Sequence, residues 1–181
     1  MINSIINSFK EDDTISMSTL KYKIDTMEEI ENPNYVKVIT DKKGYALYFS
    51  RSVIPYPRKL DIQNYYKHVG IYGYKRGFVV EYAKKYLGYK YVSGGSSPET
   101  GFDCSGFTSY VYKHFGISIS RTSGAQASNG TAVSKSNLQA GDLVIFNNKS
   151  NSSVGHVGIY IGGNTFIHAG SSRTGVITTS L

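Results

Sequence analysis

The 181-residue sequence has one cysteine, no tryptophan and no apolar run long enough to cross a membrane. Each scarcity excludes something. A lone cysteine, Cys104, cannot close an internal disulfide, so cysteine usage assigns no redox compartment. Without a long apolar run, no stable membrane insertion is expected. The opening residues, Met1-Ile2-Asn3-Ser4-Ile5-Ile6-Asn7, are too polar and too short for a secretory signal. A chain that truly began there would be cytoplasmic. Acidic residues number 13 against 20 basic ones, giving a net charge of +7 and a pI near 9.3. That balance suits an anionic partner (nucleic acid, a membrane surface or an acidic wall polymer) without choosing one. At 40% hydrophobic and 18% charged residues the composition is that of a globular chain, long enough for one domain or two small ones. Sixteen tyrosines beside the missing tryptophan look like compositional bias, so no single tyrosine carries weight from composition.

What is present centres on Gly101-Phe102-Asp103-Cys104-Ser105-Gly106-Phe107. Beyond Asp103 the apolar residues Phe107, Tyr110, Val111 and Phe115 recur every three or four positions, which predicts a helix, and Gly116 predicts its end. Asp103 is an N-cap residue, able to accept the free N–H groups of the first turn. Cys104 then occupies the first helical position, where a helix dipole favours the thiolate, the nucleophilic form. Gly101 and Gly106 leave room for a substrate backbone. A lone cysteine is more often a small buried hydrophobe. The capped helix start and the histidines downstream argue against that here.

The segment His156-Val157-Gly158-Ile159-Tyr160-Ile161 alternates as a strand. His156 then shares a face with Gly158 and Tyr160, opposite Val157, Ile159 and Ile161. Gly162-Gly163-Asn164 predicts a hairpin turn, and Thr165-Phe166-Ile167-His168-Ala169 the return strand. An odd-numbered loop, such as those three residues, puts His168 on the face of His156; a two-residue turn puts it on the other. A cysteine hydrolase needs a thiolate, an imidazole to carry the proton, and a group to hold the imidazole's second nitrogen. Cys104, His156 and His168 could supply all three. Taken singly, each histidine is equally a satisfied structural residue. His114 lies late in the helix, where a cation suits the dipole. Ser123-Gly124-Ala125-Gln126 has capping-box spacing, which makes Gln126 a cap rather than a catalyst.

The remaining elements follow from the same rules. Helices are expected around Ile2–Phe9 and Phe78–Leu87, the latter ended by Gly88, with a short turn or helix at Thr26–Ile30. Strands are expected at Ser18–Ile24, Tyr35–Thr40 and Tyr45–Ser50, the last two joined by a turn at Asp41-Lys42-Lys43-Gly44. Pro55 and Pro57 end the third strand. A polar stretch, Arg58–Asn64, leads to the apolar run Val69–Tyr74, with His68 a partly buried residue at its start. Tyr89–Val92 and Ile117–Ser120 read as short extended pieces, Gly94–Pro98 as a loop, Leu143–Phe146 as a strand, and Asn147–Ser153 as a polar loop.

Two family resemblances divide the chain. Asn32-Pro33-Asn34-Tyr35-Val36-Lys37-Val38, Gly44 to Arg51, Ile54-Pro55-Tyr56 and Lys67 to Tyr74 resemble 3-deoxy-manno-octulosonate cytidylyltransferase, an enzyme that activates a sugar acid with CTP. The likeness covers residues 1–80 and only the middle of that enzyme. The phosphate loop and the acidic metal-binding motifs of the family have no counterpart here. Arg51 and His68 would lie on the sugar side of such a site, but a nucleotide site is missing, so a remnant or fusion piece is expected.

Tyr91-Val92-Ser93-Gly94-Gly95, the Asp103-Cys104-Ser105-Gly106 segment, Arg121-Thr122-Ser123, Gly141-Asp142-Leu143, His156 to Gly162 and Phe166-Ile167-His168-Ala169 resemble the NlpC/P60 family of papain-like cysteine peptidases. The likeness covers residues 81–181. It implies an α+β fold, with the cysteine-bearing helix packed on an antiparallel sheet, following an incomplete α/β nucleotidyltransferase-like segment. It also implies cleavage of peptidoglycan stem peptides, commonly between D-glutamate and diaminopimelate. Carried over by motif, Cys104 is the nucleophile, His156 the base, His168 its orienting partner, and Tyr91 an oxyanion donor. Asp103, Ser105 and Gly155, beside the nucleophile and the base, are expected at the substrate. No metal, cofactor or nucleic-acid partner is implied, and a monomer working in the cell envelope or outside the cell is expected. Ser93 stands where the family commonly has an aromatic residue, which would loosen the groove. The chain stops soon after Gly175-Val176-Ile177, where members usually add a strand, and a missing edge would cost stability. The rivals to a peptidase are a catalytically inactive wall-binding module and, more remotely, a remnant sugar nucleotidyltransferase.

Overall fold

The computed structural model describes residues 1–57, 64–148 and 150–181. Most of the expected polar stretch Arg58–Asn64 and one residue of the Asn147–Ser153 loop therefore lie outside the described residues. Contacts within the chain divide it into Met1–Gly73 and Tyr74–Leu181.

The first unit runs α1 (Ile2–Glu11), β1 (Met17–Lys23), α2 (Met27–Glu31), β2 (Lys37–Thr40), β3 (Ala46–Ser50) and β4 (Tyr66–Tyr74). Its four strands form one sheet in the order β1-β4-β2-β3. The Asp41–Gly44 turn holds because the Asp41 carboxylate accepts from Lys43 N and Tyr45 N, both at 2.9 Å, and Gly44 takes a φ of +92°. Thr26 caps α2 by accepting from Glu29 N at 3.3 Å. Ile24, Ile30 and Tyr65 form a small core, with Met27 and Val53 against it. Lys37, which the apolar pattern did not single out, is fully buried and donates to Asn32 O at 3.0 Å. Burial, and then the charge of Arg51, lower its ammonium below the ordinary lysine range. His68 sits near the start of β4, half-buried, with Nε2 2.9 Å from Thr19 Oγ1.

The second unit opens with α3 (Arg76–Lys84), then a two-strand hairpin, β5 (Ser96–Ser97) and β6 (Gly101–Phe102). It continues through α4 (Cys104–His114), α5 (Ser123–Gln126) and a single 3-10 turn at Lys135–Asn137. Four antiparallel strands follow: β7 (Leu143–Asn147), β8 (Val154–Gly162), β9 (Thr165–Ser171) and β10 (Gly175–Ser180). They lie in the order β10-β9-β8-β7. The main core joins the two layers. Val79 and Ala83 of α3 and Phe107 and Val111 of α4 meet Ile159, Ile167, Ala169 and Val176 of the sheet. This α+β arrangement is the fold expected from the sequence.

Local departures have local causes. α3 begins before Phe78 and ends at Lys84; Tyr86 N and Leu87 N then bond three residues back rather than four, and Gly88 turns the chain at φ +83°. Gly94–Pro98 is not all loop, because Ser96 and Ser97 pair with Phe102 and Gly101. Tyr89–Val92 contributes one isolated bridge, Tyr91 to Phe102, and Ile117–Ser120 forms no strand. The last strand is well tied. Val176 N donates to Tyr89 O, Val176 O accepts from Gly88 N, and Leu181 N donates to Asn164 O.

Candidate active site

The start of α4 is built as its sequence predicts. Asp103 Oδ1 accepts from Gly106 N at 2.6 Å and caps the helix. Its other oxygen accepts from Gly94 N at 2.9 Å. Arg121 grips the same carboxylate with both guanidinium nitrogens, at 2.9 and 2.7 Å, and also donates to Ser105 Oγ at 3.1 Å. Burial pushes the Asp103 carboxyl up, but Arg121 and the two backbone N–H groups outweigh it and hold it below the ordinary carboxylate range. Asp103 and Ser105, expected at the substrate, thus have their side chains turned to one another and to Arg121. Ser105 is itself buried, and Cys104 is half-buried beside it with a free thiol.

Gln126 is not the cap that the spacing suggests. Thr122 caps α5, accepting from Ala125 N at 3.4 Å. Gln126 is buried instead, donating to Ser105 O at 3.0 Å and Ser120 O at 2.7 Å while accepting from Thr108 Oγ1 at 2.7 Å. Capping-box spacing failed as a guide because the residue that starts α5 lies one position earlier, and the amide then points inward.

α4 packs on β8 and β9, so the helix that begins with Cys104 lies against the two strands bearing His156 and His168. His156 Nε2 is 2.6 Å from His168 Nδ1. The register that brings them together has an unexpected origin. Gly162 pairs with Thr165, leaving a two-residue turn, Gly163-Asn164, with φ of +57° and +56° as a type I′ turn requires. Alone, that turn would place the histidines on opposite faces. A bulge between Tyr160 and Gly162, with Gly162 at φ +92°, inserts one residue and restores the shared face. Gly158 lies between them on that face. A Cβ there would come within 2.6 Å of the Phe166 ring and 3.1 Å of His168 Cβ.

Three residues that the sequence did not single out as site candidates complete the site. Thr179, on β10, places Oγ1 2.9 Å from His168 Nε2. Phe166 lies tilted against the His168 ring at 4.5 Å, and Phe146 flanks His156 at 6.1 Å. No local signal marks Thr179, because only strand pairing brings it to His168. Burial lowers the His156 imidazole below its ordinary range. Burial, and then the neighbouring His156, bring His168 down to about 4. Both are therefore neutral near pH 7.

Tyr91 is half-buried. Burial, then the charges of Cys104 and Asp103, raise its phenol above the ordinary value, so the hydroxyl keeps its proton. Gly155 is exposed at the start of β8, where any Cβ would collide with the Asn148 side chain. Among the described residues, no cluster of three or more His, Cys, Asp or Glu could hold a metal ion. Nor, among them, is any helix long and apolar enough to cross a membrane.

The comparisons with known proteins also divide the chain in two, between residues 87 and 88. Residues 88–181 match the NlpC/P60 family model, just over half of the chain. The chain belongs to the NlpC/P60 family. Residues 1–87 match the cytidylyltransferase model. A 3-deoxy-manno-octulosonate cytidylyltransferase of Fusobacterium nucleatum is 63% identical over 84 residues, covering 46% of this chain and 34% of its own length. A γ-D-glutamyl-L-lysine dipeptidyl-peptidase of Bacillus cereus is 39% identical over 138 residues, covering 76% of this chain and 36% of its own length. The crystal structure of the NlpC/p60 domain of the peptidoglycan hydrolase SagA superposes with a TM-score of 0.53 at 41% identity, covering 59% of this chain and 89% of that one. The chain spans about a third of the length of the two curated relatives.

Proposed function

We propose that the second unit is a thiol peptidase that cleaves peptidoglycan stem peptides. The observation that carries this reading is the His156–His168–Thr179 chain, on strands packed against the helix that begins with Cys104. With His156 Nε2 committed to His168, Nδ1 is the nitrogen left to exchange a proton with Cys104. The mechanism requires one further approach, Cys104 Sγ to His156 Nδ1. The thiol proton passes to Nδ1, the thiolate attacks the carbonyl, and a tetrahedral oxyanion forms. The protonated Tyr91 hydroxyl donates to that oxyanion. As the intermediate collapses, His156 gives its proton to the leaving amine. Water, deprotonated by the same nitrogen, then releases the acyl-enzyme.

Family membership and the relatives' names support a choice of bond. The Bacillus cereus relative is named for a γ-D-glutamyl-L-lysine bond. Our reading is cleavage on the carboxyl side of γ-linked D-glutamate, with lysine or diaminopimelate following. The excess positive charge suits an anionic wall. The protein acts as a monomer at the envelope or outside the cell, and Asp103, Ser105 and Gly155 border the bound peptide.

The test is digestion of purified muropeptides by the full chain beside Cys104→Ala, with products identified by mass. Stem-peptide products present with the parent and absent with the variant support the reading and name the bond. A folded parent that yields none, and whose Cys104 resists a thiol-directed probe at neutral pH, overturns it in favour of an inactive wall-binding module.

A further inference from the structure

The hydrogen-bond chain does not end at His168. We infer that Thr179 is a positioning residue whose hydroxyl is the terminal acceptor of a Cys104–His156–His168–Thr179 relay, and that it holds His168 in the tautomer the reaction needs. The inference rests on the peptidase reading above.

The argument is one of donors and acceptors. When His156 carries the thiol proton on Nδ1, it also bears a proton on Nε2, and that N–H can only donate. The acceptor 2.6 Å away is His168 Nδ1, which must then carry no proton. A neutral His168 with a bare Nδ1 has its proton on Nε2. That N–H meets Thr179 Oγ1 at 2.9 Å. His168 is only 8% exposed, and Thr179, on the edge strand, is the partner the structure gives its Nε2–H. Turning the ring to satisfy it elsewhere would break the bond to His156. Phe166, tilted over the ring at 4.5 Å, and Ile177, paired with His168 on β10, leave little room for such a turn.

The terminal group is a hydroxyl and not a carboxylate, with a chemical consequence. Thr179 can accept from His168 Nε2–H or donate to a bare Nε2. The direction is set at the other nitrogen: His156 Nε2–H needs a bare His168 Nδ1, so His168 carries its proton on Nε2 and Thr179 accepts. The imidazolium formed on His156 faces a neutral dipole chain. Nothing in the local sequence marks Thr179 for this task; β10 pairing places it beside Phe166, one diagonal step from His168 on the same face.

The experiment compares the parent full-length chain with Thr179→Val and Thr179→Ser. Steady-state hydrolysis of a soluble muropeptide gives kcat and KM, and nitrogen-15 spectra of the imidazoles read the His168 tautomer directly. The valine variant is expected to lose about 10- to 100-fold in kcat with KM little changed, as for other partners that orient a catalytic group. The serine variant is expected to recover most of the loss. In the parent, His168 should be protonated at Nε2, and the valine variant should mix tautomers. A parent that hydrolyses muropeptides while Thr179→Val matches it in kcat overturns the inference and leaves the peptidase reading standing. So does a parent spectrum with the His168 proton on Nδ1. A folded parent that hydrolyses nothing overturns the peptidase reading, and the spectra then decide the tautomer on their own.

Discussion

At the scale of single residues, the site depends on how few groups can do each job. Asp103 caps α4 and holds Arg121 through the same carboxylate, so Asp103→Ala removes two supports from the helix start. Arg121 is 43% exposed, and water screens that ion pair, so most of the cost is the lost cap, about 1–2 kcal/mol. Chemical denaturation of the variant checks the figure. His168 makes stability depend on pH. Its folded pKa, about 4, lies below the ordinary histidine value of 6.5. The unfolded chain therefore binds the proton first as pH falls. The stabilising contribution is full above 6.5, is lost progressively between 6.5 and 4, and changes no further below 4. The loss is on the order of 3 kcal/mol. Melting curves across that range should show it, and His168→Asn should flatten it. A His168→Asn chain that loses stability over that range as steeply as the parent would remove His168 as the source.

At the scale of elements, register matters more than element identity. Most strands and helices follow from apolar periodicity, and β8 and β9 lie close to where alternation puts them. Their relative register depends on one bulge residue. Gly162→Ala forces a side chain onto a φ of +92°, costing about 1 kcal/mol or more and straining the bulge that aligns the histidines. Gly158→Ala acts on the histidine-bearing face itself, pressing a methyl group against Phe166 and the backbone oxygen of Ile167. Both variants are expected to lower muropeptide hydrolysis more than they lower the melting temperature. Gln126 shows the same dependence within the helical layer. Gln126→Leu removes the shorter of two acceptors of Thr108 Oγ1 and takes a donor from both Ser105 O and Ser120 O; a loss of about 1–3 kcal/mol is expected on urea denaturation.

At the scale of the whole molecule, the family matches and the packing draw different lines. The NlpC/P60 model begins at residue 88, and the cytidylyltransferase model runs through residue 87. Yet α3, at Arg76–Lys84, supplies Val79 and Ala83 to the core of the second unit. Tyr74, Phe78 and Tyr82 surround Phe115 at ring distances of 5.0–5.6 Å. A fragment of residues 74–181 should therefore fold cooperatively, while 88–181 lacks one wall of its core and loses roughly 3–5 kcal/mol of apolar burial. Calorimetry of the two fragments checks this; equal melting temperatures would place α3 outside the working core.

Sequence by itself singled out the candidate residues and the elements that carry them. Asp103 and Cys104 announce a capped helix start, and alternation around His156 and His168 announces two strands, because capping and periodicity are properties of neighbours along the chain. The two family likenesses were legible for the same reason, as runs of residues in order. Tertiary structure alone decided the rest. It chose a bulged two-residue turn over a three-residue loop, turned Gln126 inward, wrapped Arg121 around Asp103 and brought Thr179 to His168. Apart from the turn, each of those outcomes joins positions distant in sequence, and only the simultaneous packing of helices and sheet selects such pairs.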